Sequence, residues 1–265
     1  MDTENNMENI DPVKYSLDSK FQFRCHSKLE CFTKCCRGIT IILTPYDIIK
    51  LKDILSLSSE EFLAIYTEPK LLEKTDLPIV TLKLLDDEQK SCPFVRDDGC
   101  LVYTHRPTAC RYYPVGVASL NFKEDSDEDG FYFFVKEPHC LGFKEEKEWT
   151  IADWRIDQGV DIHDKINAGW ADLIVKKRSF PKNIMLTEKT KSMFFTACYD
   201  VDKFRRFIFE SSFLTLYKID DVTAEKIKKD DVALIEFAYG WLDSLLFKGE
   251  KFKINEEEAA RRAKK

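Results

Sequence analysis

The residues best suited to chemistry in this sequence are its cysteines. Nine are present, and eight of them lie within the first 140 residues. Four fall in the short stretch CHSKLECFTKCC, with the spacing C-x5-C-x3-C-C, and four follow at wider spacing. Thiolates are soft ligands that bind zinc, copper(I) and iron–sulfur clusters. We therefore predict that eight cysteines are metal ligands: Cys25, Cys31, Cys35, Cys36, Cys92, Cys100, Cys110 and Cys140.

The N-terminal sequence and the lack of long apolar runs suggest a compartment in which cysteines stay reduced. Residues 1–16 are polar and acidic, without the basic and apolar regions of a signal peptide. No apolar run approaches the ~20 residues that cross a bilayer. We therefore expect a cytoplasmic protein without a membrane partner, where thiols stay reduced. The net charge of −6 argues against a nucleic-acid partner.

The adjacent pair Cys35 and Cys36 limits how the thiols can be arranged. Side chains alternate along an extended chain, so neighbours there point in opposite directions. The pair therefore either lies in a tight turn, for which Gly38 is suited, or serves two different centres. Four thiolates from each half of the pattern would fill two tetrahedral sites, or all would surround one. These alternatives stay open at this point.

Gathered thiolates are anionic and need cations or N–H donors nearby. Arg37 follows Cys36, Arg111 follows Cys110, and Arg106 lies four residues before Cys110. Charge and hydrogen bonding set the reduction potential of a cluster. We predict that the three arginines contact the cofactor, with ordinary salt bridges as an equally weighted alternative.

The cysteine spacing favours iron–sulfur over zinc. Zinc modules usually carry paired C-x2-4-C motifs, and only the segment from Cys31 to Cys35 approaches that spacing. The Cys92-Pro93 pair and the aromatic residues nearby suit a sheltered cluster. We predict one or two 4Fe-4S clusters, with zinc as the alternative. The neighbouring histidines are expected to support the site rather than bind metal, and Cys198 is expected to be a buried core thiol.

Short strands and capped helices are expected to position the cysteines. Thr44 to Asp47 and Ser58 to Glu61 are helix-starting capping boxes. Residues 79–85 alternate as a strand does, and Asp98-Gly99 indicates a hairpin. Residues 115–123 and 131–136 are predicted to form a second strand pair around an acidic loop.

The second half of the sequence has helical periodicity. Thr150 is predicted to begin one long helix that ends near Lys177, followed by two or three more helices within residues 187–217 and 222–247. The predicted fold class is α+β: a small cysteine-rich core with short antiparallel strands, packed against a mainly helical C-terminal half. The predicted domains are a flexible N-terminal segment (1–20), a cysteine-cluster metal-binding domain (21–145), a helical region (146–248) and a charged tail (249–265).

The segments CCRG, TPYDI and CPFVRDDGCLVYTHRPTACRYYP resemble the YkgJ family of cysteine-cluster proteins, which are described as zinc- or iron-chelating domains. The resemblance covers residues 25–140 and implies metal or cluster binding, without a particular reaction. The N-terminal spacing departs from the family pattern, which leaves the choice between Cys25 and Cys31 open. The matching residues are Cys31, Cys35, Cys36, Cys92, Pro93, Phe94, Cys100, Tyr103, Arg106, Pro107, Cys110, Arg111, Tyr113 and Pro114.

Three functional hypotheses follow. The first is an iron–sulfur protein with a redox or protein-modification-linked role and an unidentified protein or redox partner. The second is a zinc-stapled interaction module without catalysis. The third is a lysine-methylase-like enzyme, since one group that resembles this family includes flagellin lysine methylases that carry an iron–sulfur cluster.

Several enzyme classes are excluded by missing motifs. The nine glycines form no G-x-G pair, which argues against a Rossmann-type dinucleotide or methyltransferase loop, and no P-loop is present. The C-x3-C-x2-C motif of radical S-adenosylmethionine enzymes is also absent, because Gly38 stands where its third cysteine would be. A catalytic thiol at Cys36 or Cys110, each beside an arginine, is the remaining enzymatic possibility. The number of grouped thiols favours metal ligation over that possibility.

Overall fold

A computed structural model describes residues 9–11, 13–117, 131–181, 185–247, 249, 252 and 254–255. Within them, short antiparallel strands prevail in the first half and helices in the second, which confirms the predicted α+β class. The strands are β1 (Lys20–Gln22), β2 (Ile42–Leu43), β3 (Thr67–Leu72), β4 (Leu77–Leu82), β5 (Val95–Arg96), β6 (Gly99–Cys100), β7 (Val115–Val117), β8 (Tyr132–Phe134) and β9 (Glu148–Thr150). The helices are α1 (Pro45–Ile54), α2 (Ser59–Tyr66), α3 (Thr108–Tyr112), α4 (Ile151–Gln158), α5 (Val160–Arg178), α6 (Glu188–Tyr199), α7 (Val201–Glu210), α8 (Phe213–Tyr217), α9 (Asp221–Lys229) and α10 (Asp231–Phe247).

The chain divides into two compact units, and neither is continuous in sequence. The first unit comprises residues 1–43 and 81–168, and the second comprises residues 44–80 and 169–265. Eight cysteines belong to the first unit, while Cys198 belongs to the second. The linear domain boundaries predicted from the sequence stay predictions. Among the described helices, none combines the length and apolar character needed to cross a membrane.

The first unit is built from short antiparallel strand pairs over an aromatic core. Strand β1 pairs with β9, so that Phe21 lies opposite Trp149. Strand β7 pairs with β8, and Tyr15 exchanges backbone hydrogen bonds of 2.8 and 3.0 Å with Tyr132 on β8. Phe21, Phe23 and Trp154 pack in this core. The ring centroid of Trp154 lies 5.9 Å from that of Phe21 and 5.6 Å from that of Phe23.

Local predictions in the first unit are confirmed for the strands and wrong for one helix. Strands β5 and β6 form the predicted hairpin, with Gly99 at the first position of β6 rather than within the turn. Strands β7 and β8 form the predicted second pair, whereas the acidic loop lies outside the described residues. Thr150 caps a helix as predicted, but α4 ends at Gln158 because Gly159 is left-handed at φ 62°. The predicted long helix is therefore two helices, α4 and α5.

The second unit is mainly helical, and its two predicted capping boxes are confirmed. The Thr44 N–H donates to Asp47 Oδ2 at 2.9 Å, while the Asp47 N–H donates back to Thr44 Oγ1 at 3.2 Å. Ser58 and Glu61 form the same pair of bonds at the start of α2. The segments 187–217 and 222–247 are helical as predicted, but the structure shows five helices over them, α6 to α10, where two or three were predicted. Residues 256–265 of the predicted charged tail lie outside the described residues.

The N-termini of α2 and α7 cap each other through Ser59. The buried Ser59 hydroxyl donates to Asp200 Oδ1 at 2.6 Å and accepts from the Asp202 N–H at 3.0 Å. The Ser59 N–H in turn donates to Asp202 Oδ2 at 2.7 Å. One hydroxyl therefore satisfies two polar groups that are otherwise withdrawn from water.

Replacing this serine tests the contribution of the junction. We expect Ser59→Ala to lower the free energy of unfolding by about 1–3 kcal/mol, since it takes the acceptor from the Asp202 N–H and leaves the buried Asp200 carboxylate with only a 3.4 Å bond from the Lys203 N–H among the described residues. Urea unfolding followed by circular dichroism measures the change. The control is Ser179→Ala, because the exposed Ser179 hydroxyl bonds to the Lys176 carbonyl alone among the described residues, at 2.7 Å. Equal destabilisation of the two variants would contradict the role assigned to Ser59.

Candidate metal centre

Tight turns place the cysteines of residues 25–36 close together. Thr33 is left-handed at φ 65°, and a single 3₁₀ turn follows over Lys34–Cys36. The Lys34 N–H donates to the Cys31 carbonyl at 2.9 Å, and Gly38 has a positive φ of 63°. The structure thus shows the tight turn that was one of the two alternatives for the adjacent cysteines.

The side chains of Cys35 and Cys36 share a hydrogen bond inside this turn. This bond raises the pKa of Cys35, and burial adds to the increase. The same bond lowers the pKa of Cys36 to about 7 against the effect of burial, and the charge of Arg37 assists. Cys36 is therefore the thiol of the pair that most readily ionises.

Cysteines distant in sequence approach this turn and form what we call the first cysteine set: Cys25, Cys31, Cys35, Cys36 and Cys140. Burial of its sulfur raises the pKa of Cys25 to about 11, although the residue as a whole is exposed, and the charges of neighbouring thiols add to this increase. Those neighbours are Cys31, Cys140 and Cys36. The Leu141 N–H donates to Cys31 Sγ at 3.2 Å, so the segment after Cys140 lies against the first segment.

The second cysteine set consists of Cys36, Cys92 and Cys100. The Cys92 N–H donates to the Cys36 carbonyl at 2.8 Å, which joins the two segments. Burial raises the pKa of Cys92 to about 11, with additions from the charges of Cys36 and Cys100. The charge of Cys36 also raises the pKa of Cys100, after the larger effect of burial. The two sets thus meet at Cys36.

Backbone N–H groups point at the sulfurs of the second set. Cys92 accepts from the N–H groups of Phe94 and Val95, and Cys100 accepts from that of Val102. Each of these bonds lowers the pKa of the accepting thiol and thus favours the thiolate. The loops around the β5–β6 hairpin therefore supply donors for negative charge on sulfur.

The two other cysteines, Cys110 and Cys198, are not members of either set as defined here. Cys110 is partly exposed on α3 in the first unit, and Cys198 is fully buried on α6 in the second unit, as predicted for a core thiol. All nine cysteines are free thiols. Within the described ranges, no three Cys, His, Asp or Glu side chains are already arranged as a metal-binding group. The sulfurs are neighbours without forming a completed coordination shell.

Arg37 and Arg106 lie beside the cysteine sets. Arg37 donates from Nη1 to the Thr33 carbonyl at 2.7 Å, and its buried Nε has no partner among the described residues. The charge of Arg106 lowers the pKa of Cys100 against burial, while its guanidinium stacks 4.1 Å from the Tyr103 ring centroid. A buried, unpaired N–H donor beside the thiols fits an anionic centre.

Arg111 has a different setting. Its guanidinium donates to the backbone carbonyls of Arg106 at 3.1 Å and Gln158 at 2.8 Å, and to that of Thr104. These bonds hold α3 and the preceding loop against the end of α4. The cofactor contact predicted for Arg111 stays a prediction.

The sequence analysis missed Glu137, which the structure places at the first cysteine set. The charge of Glu137 raises the pKa of both Cys35 and Cys36, after larger causes in each case. The Tyr113 hydroxyl donates to Glu137 Oε2 at 3.1 Å and is also hydrogen-bonded to Cys140. The only signal in the sequence is an acidic residue three positions before a cysteine, which is a weak pattern.

The histidines near the cysteines contact other residues. His26 Nε2 lies 3.1 Å from Glu145, and His139 Nε2 lies 3.3 Å from Glu137. His105 Nδ1 lies 2.9 Å from Thr104 Oγ1. These contacts agree with the supporting role expected for them.

The donor set fits a soft metal, because sulfurs from three segments of the chain act on one another and are supplied with N–H donors and a cation. A comparison with family models matches residues 24–145, slightly less than half of the chain, to CxxCxxCC, described as "Putative zinc- or iron-chelating domain". Comparisons with curated proteins and with solved structures each gave no match. Residues 24–145 are therefore similar to the CxxCxxCC family of cysteine-cluster domains, in agreement with the resemblance to YkgJ-type proteins.

Proposed function

We propose that the two cysteine sets hold iron–sulfur centres with a redox or protein-modification-linked role. The observation that carries the proposal is the mutual approach of thiols from residues 25–36, 92–100 and 140, with Cys36 acting on both sets. Close, partly buried thiols repel one another once ionised, so they favour a cation that neutralises them. The family match supports metal binding through these cysteines.

We propose two tetrathiolate centres as the arrangement of ligands. The first centre takes Cys25, Cys31, Cys35 and Cys140, because Cys31 and Cys140 act on Cys25 and Cys25 acts on Cys35. The second centre takes Cys36, Cys92 and Cys100, and Cys110 is its fourth ligand. The tight turn does not prevent the adjacent cysteines from serving two neighbouring centres, and the action of Cys36 on thiols of both sets supports that arrangement.

The surrounding groups suit an anionic cofactor. An iron–sulfur cluster supplies one-electron transfer at a potential that depends on charge and hydrogen bonds to sulfur. The N–H groups of Leu141, Phe94 and Val102 already donate to cysteine sulfurs. Arg37 contributes a positive charge and a buried N–H without another partner among the described residues.

A zinc-stapled module is the second candidate, and the short elements of the cysteine region favour it. Strands β5 and β6 have two residues each, and the turn over Lys34–Cys36 has three. Such elements contribute little stability alone, and a structural metal adds its binding free energy to folding.

Anaerobic purification distinguishes the two candidates. We expect a brown protein that contains iron and acid-labile sulfide, with a broad visible absorbance that dithionite bleaches reversibly, because reduction changes the cluster's charge-transfer bands. Elemental analysis and absorbance spectroscopy make the measurement. A colourless protein that contains zinc alone would contradict the iron–sulfur proposal and support the zinc-stapled module.

Serine substitution tests the ligands. After a fixed exposure to excess EDTA that leaves the wild type loaded, we expect Cys92→Ser or Cys110→Ser to have lost about half of the bound metal, since each eliminates one thiolate of one of two four-ligand centres and weakens the metal held there. Metal per chain, measured by elemental analysis, should be unchanged in the control Cys198→Ser, because Cys198 is a fully buried thiol of the second unit. Equal metal content in all three variants would rule out this ligand assignment.

The lysine-methylase-like activity stays a prediction of the family resemblance. An enzyme of this kind must bind S-adenosylmethionine, and isothermal titration calorimetry with the purified metal-bound protein measures that binding. Absence of binding heat at micromolar protein concentrations would remove the hypothesis.

A further inference from the structure

Helix α3, which carries Cys110, is too short to orient itself. It contains five residues, Thr108–Tyr112, and isolated helices of this length are unstable in water. The direction of Cys110 therefore depends on what holds α3. The structure shows several side-chain contacts that do so, and most of them come from α4 and the start of α5.

Two side chains of α3 bond to buried residues of α5. Thr108 Oγ1 shares a hydrogen bond of 2.9 Å with Nδ1 of His163, which is only 3% exposed. The Tyr112 hydroxyl donates to the carboxylate of the buried Asp164. These two contacts lie on either side of Cys110 in the sequence, so they restrain both ends of the helix.

Helix α4 contributes the other contacts. The Trp154 indole N–H donates to the Tyr112 carbonyl at 3.0 Å, and Arg155 Nη1 donates to the Tyr112 hydroxyl. The Arg111 guanidinium reaches back to the Gln158 carbonyl at 2.8 Å. Helix α3 is thus held through its backbone as well as its side chains.

The charges in this network are compensated. Arg155 Nη2 lies 2.8 Å from Asp164 Oδ2 and 2.6 Å from Asp161 Oδ1. A buried carboxylate without such a partner is strongly destabilising, so the pair keeps Asp164 available as the acceptor for Tyr112. Arg155 Nη1 also donates at 3.2 Å to the hydroxyl of Tyr132, which belongs to β8 and not to α3.

We propose that α4 and the first turns of α5 are part of the metal-binding domain, where Thr108–His163 and Tyr112–Asp164 position Cys110 as a ligand. These helices begin at Ile151, beyond the matched residues 24–145, but residues 81–168 belong to the same compact unit as the cysteines. The inference rests on the proposed function, since it requires Cys110 to bind metal. Residues that orient ligands typically change metal affinity by about 10–100-fold when replaced.

The experiment measures how fast the metal-bound protein, purified without oxygen, releases its iron or zinc to excess EDTA. The variants are T108V/Y112F, which removes two hydroxyls from α3, C110S, and the triple combination of these changes. Y132F is the matched control, because it removes another hydroxyl that accepts from Arg155 Nη1 but belongs to β8 rather than to α3. Circular dichroism confirms the helical content of each variant, and T108V alone replaces the double variant if the latter does not fold.

We expect T108V/Y112F and C110S each to release metal about 10-fold faster or more, and Y132F to release it within about twofold of the wild-type rate. The triple variant should release metal no faster than C110S, because both changes act through the same ligand. Wild-type release from the α3 variant, or an additional loss in the C110S background, overturns the inference alone. Wild-type release from C110S overturns the ligand assignment under the proposed function and the inference with it.

Discussion

The first unit depends on one electrostatic constraint. Several cysteine thiols lie close together and partly buried, where negative charge on one sulfur disfavours negative charge on the next. Burial and neighbouring thiols raise the pKa of Cys25 and of Cys92 to about 11, so these groups resist ionisation without a compensating charge. Cys36 departs from this pattern, since the Cys35 hydrogen bond and Arg37 lower its pKa to about 7. A bound cation would favour the thiolate form of all of them. The arrangement is therefore one in which folding and metal binding support each other.

The protein groups that maintain this arrangement are mostly backbone donors and small turns rather than long elements. The left-handed Thr33 begins the turn that contains Cys35 and Cys36, and N–H groups after Cys92 and Cys140 donate to sulfur. Beneath them, an aromatic core that includes Phe23 and Trp154 connects the strand pairs with α4. The cysteine-bearing segments can therefore be short, because the aromatic core beside them supplies the packing that holds them in place.

Local features were predictable wherever a few adjacent residues decide the outcome. The Thr44 and Ser58 capping boxes, the β5–β6 hairpin and the strands around the acidic loop depend on contacts within a few positions. The helix break at Gly159 was missed because a single glycine within a helical pattern is often tolerated. Only the left-handed conformation of Gly159, beside the Arg111 side chain, identifies it as a helix end.

The sequence alone determined which chemistry is present: clustered thiols, their spacing and the arginines beside them are properties of residue type and order. Only the tertiary structure decided which sulfurs are neighbours, that Cys36 belongs to both sets, that Glu137 acts on them, and that Arg111 bonds to backbone carbonyls. It also decided that residues 44–80 belong to the second unit while α4 belongs with the cysteines. The physical reason is that segments far apart in the sequence come together only when the whole core packs. The spacing of residues along the chain does not show which of these segments will meet.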